Sequence, residues 1–254
     1  MKTLLKAVLA VIVMSAVAVS AVAGESYTPN GSVTVSMSDR FVSPTLSTVR
    51  DVPYGVLDVW LNLPAGFSLQ ATEYIGFNDD DFDSDKNDEF DATAWKKFTL
   101  ASSTYLKLRV KYINLMPVSD ISGDDLLAYD VYVGRSWNWD GPNTVAAELR
   151  LQYWHYSRDI DEGMFILIPT LAHEYRAGMF TFYDRVSLLW NEELAPFGEM
   201  VNVQPVVGLK LRLTPSLNWN VVDIAGVLPL TEVEDGDPRT DGKVAYTTAL
   251  NWRF

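Results

Sequence analysis

Hydrophobic and polar residues alternate along much of the chain, and the pattern is clearest in 242–254. Positions of one parity are mostly apolar or aromatic: Val244, Tyr246, Thr248, Leu250, Trp252 and Phe254. The intervening positions are small, polar or basic: Lys243, Ala245, Thr247, Ala249, Asn251 and Arg253. Successive side chains of a strand point to opposite faces, so this segment is predicted to be a β-strand with one apolar face.

The same reasoning predicts twelve strands in all. They cover 31–42, 54–63, 66–77, 89–100, 104–116, 125–136, 143–156, 164–175, 178–190, 199–213, 216–227 and 242–254. Many reach about ten residues, which is long for a strand of a soluble domain and sufficient for a tilted strand that crosses a membrane. An even number is expected of a single-chain bacterial barrel whose two ends lie on one side of the membrane.

The connections between these segments alternate in length. Short ones lie at 64–65, 101–103, 137–142, 176–177 and 214–215, and longer or more polar ones at 43–53, 78–88, 117–124, 157–163, 191–198 and 228–241. Alternating side chains also fit a water-soluble β-sandwich, but a sandwich has no reason to sort its loops in this way. The predicted fold class is therefore all-β, a closed antiparallel transmembrane β-barrel with short periplasmic turns and longer outer loops.

Aromatic side chains are predicted near both ends of the strands, as expected where rings meet lipid headgroups. Those near the long-loop ends are Phe41, Tyr54, Phe77, Phe90 and Trp190, and those near the short-turn ends are Trp137, Trp139, Trp219, Trp252 and Phe254. Two girdles of this kind would mark the two interfaces of the membrane.

The first 23 residues have the features of a cleavable secretory signal. Lys2 and Lys6 give a positive start, 7–19 is an apolar run, and Ala21-Val22-Ala23 supplies the small residues of a cleavage site. The alternative, an uncleaved membrane anchor, would need about 20 apolar residues, and this run is shorter. We therefore expect 1–23 to be a signal peptide and 24–254 to form the outer-membrane barrel.

Composition narrows the chemistry. The chain carries 20 Lys and Arg against 33 Asp and Glu, a net charge of −13, which argues against nucleic-acid binding. It contains no cysteine, so disulfides, thiolate metal sites and thiol nucleophiles are excluded. Its two histidines leave little for a metal cluster, and no cofactor is expected.

The end of the chain carries a resemblance to a known class. Its last strand, with Tyr246, Leu250, Trp252 and a terminal Phe254, resembles the C-terminal assembly signal of Gram-negative outer-membrane β-barrels. The first third of the mature chain is similar in layout to small proteobacterial porins of the TorF type, through Val33 to Phe41, Pro53, Gly66-Phe67 and Asp88-Glu89-Phe90-Asp91. The resemblance implies an outer-membrane protein that the barrel-assembly machinery receives through the last strand, with a pore function.

The polar parity of the strands is predicted to face the barrel interior, because a charge on the lipid face costs a few kcal/mol near the membrane midplane. The candidate lining residues are basic: Lys107, Arg109, Lys111, Arg150, Lys210 and Arg212, with Lys243 and Arg253 on the same face of the last strand. Asp58, Asp91, Asp130, Glu148 and Glu174 are candidate partners. Two interpretations remain open: an interior filled by paired side chains, or a narrow water path that favours anions.

An acidic stretch, Asn78 to Glu89, has carboxylates on alternate residues, which suits a hard cation. The EF-hand pattern fails, however: counted from Asp79, the sixth residue is Ser84 and the twelfth is Phe90. A solvated outer loop explains this stretch, and a second one at Glu232 to Asp241, without a metal. No metal site is predicted, although both loops could bridge to lipopolysaccharide through divalent ions.

An enzyme is the less favoured alternative. His155 and His173 are the only histidines, both share parity with outward residues, and neither lies beside a serine in a recognisable motif. We expect no catalytic activity and rank two functions: a small porin that passes small polar or anionic solutes by passive diffusion, and a structural or surface-interaction barrel with a filled interior. Expected partners are outer-membrane lipid, lipopolysaccharide and the assembly machinery; the sequence leaves the oligomeric state open.

Overall fold

The architecture was analysed in a computed structural model of the chain. The structure describes residues 30–42, 49–50, 53–77, 89–101, 103–114, 125–156, 159–191, 200–230 and 243–254. The predicted signal peptide, the outer loop 78–88 and most of the acidic loop 230–242 lie outside these residues. The described residues form a closed barrel of twelve antiparallel strands, as the sequence predicted.

The strands follow one another around the barrel in chain order. Their bounds are β1 Asn30–Ser38, β4 Tyr54–Asn62, β5 Phe67–Gly76, β6 Glu89–Ala101, β7 Thr104–Asn114, β8 Leu126–Trp139, β9 Asn143–Tyr156, β10 Asp159–Ala177, β11 Phe180–Asn191, β12 Met200–Arg212, β13 Leu217–Pro229 and β14 Lys243–Arg253. A separate ribbon pairs β2 Phe41–Val42 with β3 Val49–Arg50. Closure is made by β1, which pairs with β4 on one side and β14 on the other.

Two boundaries differ most from the sequence prediction, and the others differ by up to three residues. The first strand ends at Ser38 instead of continuing to 42, because the Ser38 hydroxyl donates to the Arg40 carbonyl at 2.6 Å and bends the chain there. The loop predicted at 157–163 is largely strand: β10 begins at Asp159 and pairs with β9 across a register shift between Asp159 and Gly163. Such an irregularity accommodates unpaired residues without ending the strand pair.

Both ends of the barrel chain lie at the short-turn rim. Gly31 and Phe254 exchange backbone hydrogen bonds of 3.1 and 3.2 Å, beside the end of β4 and the Pro64–Gly66 turn. The short turns contain the residues with positive φ, among them Asp140 and Gly141. Among the described residues no helix is long and apolar enough to cross a membrane.

The outer face of the barrel is apolar and exposed. Large hydrophobic side chains on every part of this face are open to the surroundings, and Trp137, Trp139, Trp219, Trp252 and Phe254 form the aromatic group predicted at the short-turn end. At the opposite end Phe77 and Trp190 are exposed. Tyr54 is only 1% exposed and shares the inward face with Ser38, so its assignment to the outer girdle was wrong; Phe90 is half-buried, and the Phe41 side chain lies outside the described residues.

Glycines on the inward face let tyrosine rings lie flat against neighbouring strands. Gly134 of β8 is paired with Tyr105 of β7, whose hydroxyl passes over it to donate to Glu148 of β9. A Cβ atom at Gly134 would lie 2.4 Å from Tyr105 Cζ. Gly208 and its paired Tyr183 repeat the arrangement, also at 2.4 Å. The Tyr105 contacts link β7, β8 and β9 on the inner face.

The Gly134 contact predicts a coupled pair of substitutions. Gly134→Ala should force the Tyr105 ring away from Glu148 and lower the free energy of unfolding by about 2 kcal/mol, the value of a hydrogen bond to a charged group. In a Tyr105→Ala background the same change should cost almost nothing, because the obstructing ring is gone. Urea unfolding in lipid vesicles measures both, and additive effects would contradict this account. Gly226→Ala is the control, since its nearest side-chain atom would be 3.3 Å away.

Candidate functional site

The candidate site is the interior of the barrel. Register pairing places residues of one parity on a common inner face, and this face carries eleven basic side chains: Lys97, Lys107, Arg109, Lys111, Arg150, Arg176, Arg185, Lys210, Arg212, Lys243 and Arg253. The same face carries seven acidic ones: Asp58, Glu89, Asp91, Asp130, Glu148, Glu174 and Asp223. The described inner wall is therefore net basic, although the whole chain carries a charge of −13.

A buried aspartate organises the basic side chains of β7 to β9. Asp130, with no exposed side-chain surface, accepts from Arg109 Nε and Arg150 Nε, each at 2.6 Å. One carboxylate thus holds two guanidinium groups on the two neighbouring strands. The arrangement leaves one positive charge in excess, and it fixes the position of both arginines.

Lys111 and Lys107 flank this group and differ in their contacts. Lys111 Nζ lies 2.5 Å from Asp91 Oδ2, so its charge is paired on the inner wall. Lys107 Nζ lies 3.7 Å from the centre of the Tyr132 ring and makes no ion pair among the described residues. Arg109 and Arg150 also approach that ring, at 5.3 and 5.4 Å. Three cations therefore lie near the Tyr132 ring, and cation–π attraction to the ring stabilises them.

Lys210 and Arg212 lie on the inner face at the short-turn end of β12, away from the Asp130 group. Lys210 Nζ lies 4.8 Å from the centre of the Tyr183 ring. Within the part of the chain that the structure describes, neither residue makes an ion pair. The structure thus divides the six candidate lining residues into a paired set of three (Arg109, Lys111, Arg150) and an unpaired set of three (Lys107, Lys210, Arg212).

An apolar cluster fills part of the interior near the long-loop end, and the sequence analysis missed it. Its members are buried side chains from β7 to β11: Ile113, Leu126, Ala128, Trp154, Met164, Ile166, Ile168 and Leu189. Each lies on the inner face by register. The signal was present in 164–168, where apolar residues occupy both parities without a break, a pattern typical of a strand buried on both faces.

The described contacts of the two histidines are with carboxylate, amide and aromatic groups. His173 lies on the outer face, with Nδ1 3.0 Å from Asp184 Oδ1 and Nε2 3.0 Å from Asn143 Oδ1. Among the described residues, these contacts of His173 are with a carboxylate and an amide oxygen. His155 stacks between the outward rings of Tyr129 and Tyr153, with ring centres 5.9 and 5.8 Å away. Among the described residues no group of three metal-ligating side chains occurs; the acidic stretches at 78–88 and 232–241 are outside them.

The four residues of the predicted assembly signal lie on the outer face of β14. Tyr246, Leu250, Trp252 and Phe254 are all exposed there. The rings of Trp252 and Phe254 are 5.5 Å apart. A mainly apolar row, interrupted by Thr248, therefore faces outward on one of the two strands that close the barrel.

A closed antiparallel barrel with an apolar outer belt and a charged interior defines the chain as a transmembrane β-barrel of the outer-membrane class. It is similar to the solved NanC porin, with a TM-score of 0.60 and 12% identity; the match covers 87% of this chain and 98% of that one. It is also similar to the KdgM porin, with a TM-score of 0.55 and 11% identity; the match covers 88% of this chain and 99% of that one. The β domain of the Bordetella autotransporter BrkA is also similar, with a TM-score of 0.53 and 13% identity; the match covers 89% of this chain and 100% of that one.

These likenesses concern the fold. No protein-family model matches the chain, and no curated protein matches it in sequence. The porin-like fold agrees with the predicted class, whereas a specific relationship to TorF-type porins is not shown by any of these matches.

The Asp130 group predicts a large difference between two carboxylate substitutions. Asp130→Asn should lower the free energy of unfolding by about 3 kcal/mol, because two half-buried guanidinium groups lose their common buried partner. Asp184→Asn, which breaks the exposed pair with His173, should cost less than about 1 kcal/mol. Urea titration of the folded protein in vesicles compares the two, and equal costs would show that Asp130 does not organise the inner wall.

Proposed function

We propose that the protein is a small outer-membrane channel that passes small polar or anionic solutes by passive diffusion. The observation that carries the proposal is the net basic inner wall in a strongly acidic chain. A surface of this kind lowers the barrier for anions and raises it for cations. The similarity to porin folds supports the proposal at the level of architecture.

The unpaired cations support the preference for anions most directly. Lys107, Arg185, Lys210, Arg212 and Arg253 face the interior and make no ion pair among the described residues. Arg109, Arg150 and Lys111 are held by Asp130 and Asp91, so their charges are partly offset. The unpaired set extends over β7, β11, β12 and β14, and so the positive potential covers much of the interior.

One of the similar structures is a KdgM porin in complex with disordered oligogalacturonate. Oligogalacturonate is a chain of sugar acids, and its carboxylates are the kind of group that unpaired arginines and lysines attract. We include organic acids of this general class among the solutes proposed here.

A second candidate function is a structural or surface-interaction barrel without transport. The apolar cluster around Trp154 and Ile166 favours it, because this cluster occupies interior space near the long-loop end. The two candidates differ in whether a water path remains beside the cluster, and ion conductance through the purified protein in a planar bilayer distinguishes them.

The channel proposal predicts weak anion selectivity at low salt. The selectivity should fade as salt rises, because the Debye length falls to about 3 Å at 1 M. Arg185→Glu combined with Lys210→Glu should reverse the sign of the reversal potential measured in a salt gradient. The charge-preserving pair Arg185→Lys and Lys210→Arg is the matched control and should behave as the unmodified protein does. An unaltered reversal potential in the glutamate variant would remove these residues from the path, and a folded protein that carries no current would favour the filled barrel.

We further propose that the outer membrane is the site of assembly and that β14 acts as the signal to the assembly machinery. Deleting Phe254, or replacing Tyr246, Leu250 and Trp252 by aspartate, should leave the protein in the periplasm, because β14 must both close the sheet and present an apolar face to lipid. Ala249→Asp, on the inward face of the same strand, is the control and should still reach the membrane. Cell fractionation and heat-modifiable migration on gels report the outcome. Membrane recovery of the outward variants equal to that of the control would refute this role of the strand.

A further inference from the structure

A cavity lies inside the barrel at its short-turn end. It has a volume of about 240 Å³ and is lined chiefly by polar residues of β10 to β14, including Glu174, Arg176, Lys210, Arg212, Asn218 and Arg253. The β10–β11 turn at Gly178 and Met179 forms its rim. These five strands are consecutive around the barrel, so the cavity occupies one continuous side of this mouth.

The charge of the cavity is strongly one-sided. Four of its lining side chains are basic and only Glu174 is acidic. Glu174 Oε2 is already in contact with Arg176 Nη2 at 3.1 Å. Lys210, Arg212 and Arg253 are left without an ion pair among the described residues, which gives an excess of three positive charges.

Concentrating like charges in a concave wall costs free energy unless an anion offsets them. Low-dielectric walls also focus the field, so the positive potential inside such a cavity is higher than on an open surface. The guanidinium groups of Arg212 and Arg253 offer planar pairs of N–H donors that match the oxygen atoms of a carboxylate or a phosphate. Asn218, which is paired with Arg212 across the sheet, adds an amide donor on the same wall.

The size of the cavity limits the ligand. Pockets for whole drug-sized molecules usually have volumes of about 300–1,000 Å³. A cavity of about 240 Å³ therefore suits one compact oxyanionic group and part of the solute attached to it.

The charge of the inner wall differs between the two ends of the barrel. The acidic residues Glu89 and Asp91 lie at the long-loop end of β6, whereas the unpaired cations of β12 and β14 lie at the short-turn end. An anion inside the barrel therefore gains favourable potential as it approaches the short-turn mouth.

We propose that this basic mouth, formed by Arg176, Lys210, Arg212 and Arg253, is a binding subsite for a carboxylate or phosphate group of a solute that passes through the barrel. The proposal rests on the channel function in assuming that the solute passes through the barrel. Binding at the subsite can nevertheless be measured without transport. The subsite holds the anionic group at the periplasmic end of the interior.

Sided block of the ion current tests the position of the subsite. The full chain is inserted in a planar bilayer, and its orientation is read from a Pro142→Cys variant labelled with an impermeant reagent, since the natural chain has no cysteine. Citrate and tripolyphosphate are the two probes, one for each anionic group. A probe that binds should block the ion current when it is added on the short-turn side. The concentration needed there should be at least about tenfold lower than on the long-loop side.

The combined Arg212→Gln and Arg253→Gln variant tests the residues. It should weaken block from the short-turn side by about 100-fold, because each substitution removes one charge-assisted interaction that is worth about tenfold in affinity. Lys96→Gln removes a cation from the outer face of β6, where Lys96 contacts the Phe67 ring, and should leave the block unchanged. A difference between the two sides that survives in the double variant, or equal block from both sides in the unmodified protein, would overturn the proposal.

Calorimetric titration of the detergent-folded protein with the same probes separates this inference from the channel function. Binding that the double variant loses, in a protein that carries no current, would support the subsite while refuting transport. Current without arginine-dependent binding would refute the subsite while leaving the channel in place. Heat-modifiable migration confirms that each variant is folded, and Arg212→Lys with Arg253→Lys, which keeps the charge, should retain most of the binding.

Discussion

Closure of the backbone hydrogen-bond network is the constraint on which the rest of this structure depends. Lipid offers no partner to an N–H or C=O group, so a sheet can cross a membrane only if it has no free edge. In this chain β1 meets that requirement by pairing with β14 along 32–38 and with β4 along 30–38. The mutual hydrogen bonds of Gly31 and Phe254 complete the seam at the short-turn rim.

Closure assigns every side chain to one of two environments. A strand in a closed sheet has one face in lipid and one in the interior, and each residue takes its face from its parity. The charged residues of the strands are then collected inside, where they must be compatible with one another. Asp130 between two arginines, Asp91 beside Lys111, and Tyr105 crossing Gly134 to Glu148 are the contacts that make this possible.

The interior that results is uneven along the barrel axis. Near the long-loop end an apolar cluster built on β7 to β11 occupies space. In the middle of the barrel, carboxylates pair with the basic residues. At the short-turn mouth, the basic residues outnumber the carboxylates. The apolar cluster near the long-loop end and the basic cavity at the short-turn end give the two candidate functions their separate support in one molecule.

The sequence by itself determined the number of barrel strands and the faces of most of their residues, because the period of two and the sorting of loop lengths are local properties of the chain. It placed Lys107, Arg109, Lys111, Arg150, Lys210 and Arg212 on the inner face for the same reason. Only the tertiary structure decided which of these charges are paired, since Arg150 reaches Asp130 from the neighbouring strand, and Arg212 and Arg253 approach the same cavity from the two sides of β13. The inward position of Tyr54 follows from its parity with Asp58, and the apolar run 164–168 indicates a strand buried on both faces. Only the barrel decided which side chains complete the cluster around Ile166, because they come from five neighbouring strands.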